Sequence, residues 1–292
     1  MKIGLVGLGR MGSAIARRLG ECGHEVIAWD KNPRAVAAQV HHVRAAENPR
    51  AVAAAAQIVL SIITEDKGVR RVFTGKDGFL SSDVAGKLFI EMSTLQPMTH
   101  RALAPAVAAK GARLIDSPVL GSIPTVREGK LFALVGGDPA DVARGRSVLD
   151  HLTRRVIHLG PNGAGCAMKL AINLGMAVQL QAIAESLALG LSEGLTLDQM
   201  LDVMSDAVTA TPWLKGKLPV LKGEPGDTTL DVRTLRKDMM SAIATGACNG
   251  VAMPATSGAL ASLAAAVAGG WGDKDLAEVP QFFRKYMLQD YE

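Results

Sequence analysis

The residues Lys2-Ile3-Gly4-Leu5-Val6 run without a break into Gly7-Leu8-Gly9-Arg10-Met11-Gly12, and Asp30 stands eighteen residues further on, closing a second apolar run. Few folds accept that order. A short apolar run without alternation suits a parallel strand buried on both faces. Three glycines at this spacing suit a turn from strand into helix. Gly7 turns the chain, Gly9 lets backbone approach a pyrophosphate, and Gly12 lets the helix pack closely on the strand. The N–H groups opening the helix face the phosphates, and Asp30 accepts hydrogen bonds from a ribose. The pattern predicts a dinucleotide-binding βαβ unit with a strand over Lys2–Val6, a helix over 11–22 stopped by Gly23, and a strand over Glu25–Trp29. A packed βαβ unit without a ligand is the plain alternative. The carboxylate at position 30 repels a 2′-phosphate and so favours NAD; Lys31 and Arg34 soften that repulsion and leave NADP possible.

Strand and helix patterns continue to alternate through the first half. Strands are predicted over 57–63, 87–92, 113–119, 131–135 and 156–159, with a polar helix-like stretch following the first of these through residue 73 and a helix over 97–110. Alternation of this kind implies a mostly parallel sheet with helices on both faces, an α/β Rossmann-type doubly wound arrangement. After Gly160-Pro161-Asn162-Gly163 strand signals cease. Helical periodicity runs over 164–193, long enough for a spine joining two domains, and further helices are predicted over 196–206, 231–247 and 254–268. The expected organisation is a dinucleotide-binding domain over 1–162 and an all-helical second domain over 163–292, joined by the long helix.

Composition narrows the function. Apolar residues make up 48% and charged residues 21%, as in a globular core. The net charge of +4 is scattered, and aromatics are only 4%, which argues against a nucleic-acid surface. Cys22, Cys166 and Cys248 are odd in number and far apart, so neither a disulfide framework nor a zinc knuckle is expected and a reducing cytoplasm is the natural compartment. The six histidines form no ligand spacing, so no metal is expected. The first strand leaves no room for a signal peptide. The apolar stretch over 176–191 is interrupted by Gln179, Gln181 and Glu185, so it is read as a core helix and not a membrane span. Gly190-Leu191-Ser192-Glu193-Gly194 matches a nucleophile-elbow pattern, but it falls at a helix end where Gly194 is a stop signal.

A second constellation lies on the long helix. Lys169 and Asn173 are four residues apart and share a face. An ammonium beside an amide suits carbonyl chemistry, one donating a proton to a developing alkoxide and the other fixing the oxygen. Alone, the pair also fits a surface lysine beside a capping loop. The preceding Gly163-Ala164-Gly165 allows a substrate or another backbone to come close.

These motifs stand in one order with Glu91-Met92-Ser93-Thr94, Asp116-Ser117-Pro118-Val119-Leu120-Gly121-Ser122, Glu128-Gly129-Lys130-Leu131 and Lys237-Asp238-Met239. Over nearly its whole length the chain resembles the β-hydroxyacid dehydrogenases, and the run from Thr211 through Trp213 to Lys217 is most similar to the glyoxylate/succinic semialdehyde reductase branch.

The resemblance implies an NAD(P)-dependent oxidoreductase moving hydride between nicotinamide and a small hydroxyacid or carboxylate-bearing aldehyde, in a homodimer or homotetramer. It implies Lys169 and Asn173 as catalytic residues. Gly7, Leu8, Gly9, Arg10, Met11, Gly12, Asp30, Lys31, Thr94 and Lys237 would bind cofactor, and Ser93, Leu120, Gly121, Ser122 and Trp213 would bind substrate; Trp213 serves equally as a loop anchor. Two positions depart from the pattern. Leu120 stands where the family usually has serine, and Asp30-Lys31 stands where the reductase branch usually has Asn-Arg. An imine reductase shares this architecture but often lacks the lysine. A cofactor-binding scaffold without turnover is the non-enzymatic alternative.

Overall fold

The computed structural model describes residues 1–287 other than 227. Contacts divide the chain into two compact units, Met1–Leu170 and Ala171–Glu292.

The first unit is built from β1 (Lys2–Val6), α1 (Arg10–Glu21), β2 (Glu25–Trp29), α2 (Pro33–Ala37), β3 (Arg44–Ala45), α3 (Pro49–Ala55), β4 (Ile58–Ser61) and α4 (Asp66–Thr74). It continues with β5 (Leu88–Glu91), α5 (Pro97–Ala108), β6 (Arg113–Asp116), β7 (Val119–Leu120), α6 (Ile123–Arg127), β8 (Leu131–Gly136), α7 (Pro139–Leu152) and β9 (Thr153–Gly160). The sheet order is β3-β2-β1-β4-β5-β6-β8-β7, with β9 beside β8. Strands β1 to β6 pair in parallel, whereas β8 lies antiparallel to β6 and β7. Strand order reverses between β1 and β4, so the chain winds outward in both directions from β1. In sheets of this kind ligands bind at the carboxyl ends of the strands beside that reversal.

Both faces of the sheet are covered. Ile58 and Leu60 of β4, with Leu88 and Ile90 of β5, enter one apolar cluster; the alternate residues Val59 and Phe89 enter the other. A period of two across buried strands produces this division.

The structure breaks the predicted strand over 113–119 into β6 and β7, with Ser117-Pro118 between them. Proline has no N–H to give a ladder, and the chain redirects there. Helices α2, α3, α6 and α7 were not anticipated. Their N-cap residues Asn32, Asn48, Ser122 and Asp138, each followed within two residues by proline, are a legible start signal.

Helix α8 (Ala164–Ser192) opens in the first unit and continues into the second. The contact division therefore falls inside α8, beyond the boundary at 162 expected from sequence. Cys166 and Leu170 are why: both are buried, and Cys166 joins the core of the first unit. The second unit holds the rest of α8 with α9 (Leu197–Asp206), α10 (Pro212–Lys222), α11 (Val232–Cys248), α12 (Pro254–Ala266) and α13 (Val279–Met287). Ala177, Leu180, Leu235, Met239 and Leu263 lie in its main apolar cluster. A buried ion pair ties α10 to the turn before α13: Lys217 Nζ lies 2.9 Å from Asp275 Oδ2, which also accepts from the backbone N–H of Thr229 at 2.7 Å.

Helix α8 is long and apolar enough, by length and composition, to cross a membrane. The helix carries Lys169 and the buried Asn173, and its buried residues Cys166, Ala177, Leu180 and Ala184 join the apolar clusters of the units it belongs to.

Candidate active site

The turn after β1 has the geometry that its glycines imply. Gly7 has φ +101°, and a Cβ there would collide with the carbonyl oxygen of Ile62. A Cβ on Gly12 would collide with the carbonyl oxygen of Gly7, so α1 packs directly on the turn. A Cβ on Gly9 would meet nothing within 4 Å, and Gly9 is exposed. That opening lies over the first turn of α1, which carries no acidic residue and no side-chain cap. Free N–H groups at a helix start attract an anion. The cradle thus fits a dinucleotide pyrophosphate. Arg10 is exposed and Met11 half-buried at its rim.

Asp30, at the end of β2, holds this turn from the side. Its Oδ2 accepts the Leu8 N–H at 2.7 Å and its Oδ1 accepts the Asn32 N–H at 2.7 Å. The carboxylate is fixed and half-buried, while Lys31 and Arg34 are exposed.

Helix α8 begins at the carboxyl end of β6. Asp116 is fully buried; its Oδ1 accepts the Gly163 N–H at 2.6 Å and its Oδ2 the Cys166 N–H at 3.1 Å, capping the helix. A Cβ on Gly163 would lie 2.7 Å from the carbonyl oxygen of Pro97, and one on Gly165 would collide with that of Leu134. The glycines before Lys169 thus admit another backbone, one of the two readings offered by the sequence. Cys166 Sγ then donates to the carbonyl oxygen of Ser93 at 3.3 Å. Lys169, half-buried, follows Cys166 by about one turn, so the bond from Cys166 to Ser93 anchors the helix one turn before it.

Ser93 does not stand where substrate contact was expected. It is 2% exposed, its hydroxyl donates to Glu91, and its Oγ accepts the Ile63 N–H at 2.6 Å. Its one donor is spent on Glu91 and the side chain is buried, so the hydroxyl has no proton to offer a substrate. Glu91 also meets His100 Nε2 at 2.9 Å. Burial opposes charge on His100, but Cys166 and Glu91 outweigh it and hold its pKa well above the ordinary value. Burial in turn pushes the Cys166 thiol up, against the effect of His100. His100, Asp116 and Cys166 place ligand-type atoms within 4.8 Å of one another, a grouping invisible in the sequence. Each is engaged as a support under α8 and β5.

Four residues after Lys169, on the same helical face, Asn173 is 3% exposed and its Nδ2 donates to Asp238 Oδ2 at 2.7 Å. A carboxylate only accepts, so the amide nitrogen must face it. Lys237 Nζ lies 2.7 Å from Asp238 Oδ1, an ion pair rather than an aligned hydrogen bond. Its charge is therefore balanced locally. Asp238 is 1% exposed and holds both of its neighbours; nothing in its spacing from Asn173 announced it. Trp213 packs against both apolar clusters of the second unit, which is the loop-anchor reading.

The loop after β7 is as distinctive. Gly121 has φ +133°. Ser122 and Thr125 form a capping box: the Ser122 N–H donates to Thr125 Oγ1 at 3.3 Å, and the two hydroxyls are 3.2 Å apart. Leu120 is half-buried on β7. At the far end of α8, Ser192 is the last helical residue and its hydroxyl returns to the carbonyl of Leu189, so the nucleophile-elbow pattern forms no elbow.

Two family models match this chain. Residues 2–160 match the NAD binding domain of 6-phosphogluconate dehydrogenase, and residues 163–283 match the NAD-binding domain of NADP-dependent 3-hydroxyisobutyrate dehydrogenase. A 3-hydroxyisobutyrate dehydrogenase of Pseudomonas aeruginosa is 34% identical over 83% of this chain and 84% of its own length. The chain belongs to the β-hydroxyacid dehydrogenase family. Glyoxylate/succinic semialdehyde reductase 1 of Arabidopsis thaliana, in the same family, is 30% identical over 96% of this chain and 97% of its own. A solved Mycobacterium tuberculosis 3-hydroxyisobutyrate dehydrogenase with L-serine superposes with a TM-score of 0.84 at 29% identity, covering 97% of this chain and 99% of that one. A Streptomyces aurantiacus imine reductase shares the fold at a TM-score of 0.61 and 19% identity, a more distant likeness. As a β-hydroxyacid dehydrogenase the chain is an NAD(P)-dependent oxidoreductase acting on small molecules.

Proposed function

We propose that this chain interconverts small 3-hydroxy acids and the corresponding semialdehydes, or reduces glyoxylate-type aldehydes, with NAD as the preferred cofactor. One observation carries the reading: on a continuous helix whose start is pinned to the carboxyl ends of β5 and β6, Lys169 and Asn173 occupy one face a turn apart. The nicotinamide, when bound, supplies or accepts the hydride.

The residues do the rest. In reduction the Lys169 ammonium donates its proton to the carbonyl oxygen; in oxidation the neutral amine takes the hydroxyl proton. One N–H of Asn173 is engaged by Asp238, so its second N–H and its Oδ1 are what it offers to orient the substrate. Gly7, Leu8, Gly9, Arg10, Met11 and Gly12 cradle the pyrophosphate. Asp30, already aimed by two backbone bonds, meets a ribose hydroxyl and disfavours a 2′-phosphate. Thr94 and Lys237 serve the cofactor, and Leu120, Gly121 and Ser122 line the substrate loop. The substrate carries a carboxylate, and the enzyme works in the cytoplasm. The exposed Met168, Ile172 and Leu189 on α8 support a homodimer or homotetramer.

The test is turnover of 3-hydroxyisobutyrate, succinic semialdehyde and glyoxylate, followed through the cofactor, with NAD(H) and NADP(H) in parallel. At least one substrate is turned over, with higher kcat/KM for the unphosphorylated cofactor. No turnover of any would overturn the reading. A cyclic imine reduced in preference to all three would shift it to imine reduction.

A further inference from the structure

Glu91, Ser93, His100 and Cys166, all buried, close a ring between the end of β5, α5 and the start of α8. Glu91 accepts the Ser93 N–H at 3.1 Å, the Ser93 hydroxyl, and a proton from His100 Nε2 at 2.9 Å. Cys166 Sγ closes the ring by donating to the Ser93 carbonyl oxygen at 3.3 Å. His100 Nδ1 is buried without an aligned hydrogen-bond partner. The Cys166 sulfur and a carboxylate oxygen of Asp116 lie within 4.8 Å of a ring nitrogen of His100.

Counting protons fixes the charge of the ring. A carboxyl that accepts this many N–H and O–H groups is ionised, so Glu91 is a buried negative charge. A carboxylate only accepts, so His100 Nε2 carries a proton. The Cys166 proton is spent on Ser93, so the thiol has none to give Nδ1. As a bare lone pair, Nδ1 is a buried acceptor with no donor. As an N–H it has the sulfur and the Asp116 carboxylate to turn to, and Glu91 gains its counter-ion. His100 is therefore an imidazolium. Burial draws its pKa down, but Cys166 and Glu91 outweigh burial and hold it well above the ordinary value.

We propose that His100 is a positioning residue for the reaction above: clamped between Glu91 and Cys166, its ring locks the start of α8 to the end of β5 and so fixes where Lys169 stands. The inference rests on the role given to Lys169, three residues beyond Cys166. The titratable groups around the ring are Glu91 on β5, Asp116 on β6 and Cys166 on α8. From α4, Asp66 and Arg70 engage the neighbouring Thr99. A raised folded pKa gives stability that is fully present below the unfolded value of about 6.5 and is lost as pH rises through the folded value. The lock therefore opens on the alkaline side.

The experiment follows the ring-nitrogen NMR signals of His100 across pH in protein made with isotope-labelled histidine. Alongside it, kcat, KM, cofactor binding and Tm are measured for wild type, His100→Gln, Cys166→Ala and Cys166→Ser. Both ring nitrogens are expected to be protonated at neutral pH, and wild-type kcat to fall as that proton is lost. His100→Gln and Cys166→Ala are expected to lower kcat about tenfold to a hundredfold with KM and cofactor binding within about threefold, and Cys166→Ser, which keeps a donor for Ser93, to recover most of the loss. A neutral His100 at neutral pH would overturn the inference. So would a wild-type kcat that holds steady through the His100 titration, a result that stands even if no variant folds. A lowered Tm with kcat of the folded variants unchanged would reduce the ring to a purely structural element and also overturn it. A wild type that turns over none of the proposed substrates would instead fall on the proposed reaction.

Discussion

Asp30 shows how much one side chain decides. Its two oxygens are each fixed by a backbone N–H at 2.7 Å, one from the glycine-rich turn itself. The carboxylate is therefore a brace for the turn and, in the proposed reading, also the group that meets the adenosine ribose. Replacing it with serine removes the charge that repels a 2′-phosphate and leaves Lys31 and Arg34 in place. Asp30→Ser is expected to narrow the NAD-over-NADP ratio of kcat/KM by tenfold or more, read from paired steady-state assays; an unchanged ratio would show that the preference is set elsewhere. The glycines and Asp30 were legible because their spacing is local. Asp116 and Asp238 were not, although both sit in runs that the sequence singles out. Asp116 caps a helix 47 residues away, and Asp238 holds an amide 65 residues away. No periodicity records a pairing at that distance. Ser93 shows the opposite case: a hydroxyl at a promising position reads as available until its burial and its bond to Glu91 are seen.

Among the elements, α8 matters most for the proposed chemistry, because both Lys169 and Asn173 ride on it. Its start is set by Asp116, by the bond from Cys166 to Ser93, and by Gly165, which lets the helix touch the backbone of β8. A methyl group on Gly165 cannot fit without moving that turn. Gly165→Ala is expected to destabilise by about 1–3 kcal/mol and to lower kcat in the fraction that folds, since Lys169 lies one turn further on. Thermal denaturation with an activity assay on the same samples checks this; an unchanged Tm would mean the contact yields freely. The length of α8 was plain from its periodicity. The break between β6 and β7 was not, since apolar content continues through Ser117-Pro118 and only the missing proline donor marks the change.

At the scale of the whole molecule, stability of the helical unit is tied to pH through Asp275. Burial by itself raises a carboxyl's pKa, but Lys217 and the N–H groups of Ala277 and Thr229 outweigh it, and the net shift is downward. A depressed folded pKa gives stability that is fully present above the unfolded value of about 3.9 and is lost as pH falls through the lowered folded value. Asp275→Asn leaves Lys217 buried without its counter-ion. It is expected to cost about 3–5 kcal/mol near neutral pH and to flatten the acid limb of stability, measured by urea unfolding across pH. Equal stability of variant and wild type at neutral pH would contradict this. The alternation of strands and helices, the loss of strands after residue 160 and the long helix were all visible in the chain, because each repeats with a fixed period. The antiparallel pairing of β8 was not, because it depends on which edge of the sheet the chain returns to.

The central claim is that the amine of Lys169 carries the proton of the reaction. The most direct measurement is kcat/KM of Lys169→Ala on the substrate that the wild type turns over, with the cofactor dissociation constant determined alongside. A fall of about 10²–10⁴ with cofactor affinity unchanged within about threefold is the predicted result. Turnover within tenfold of the wild type, in a variant that folds and binds cofactor normally, would contradict it.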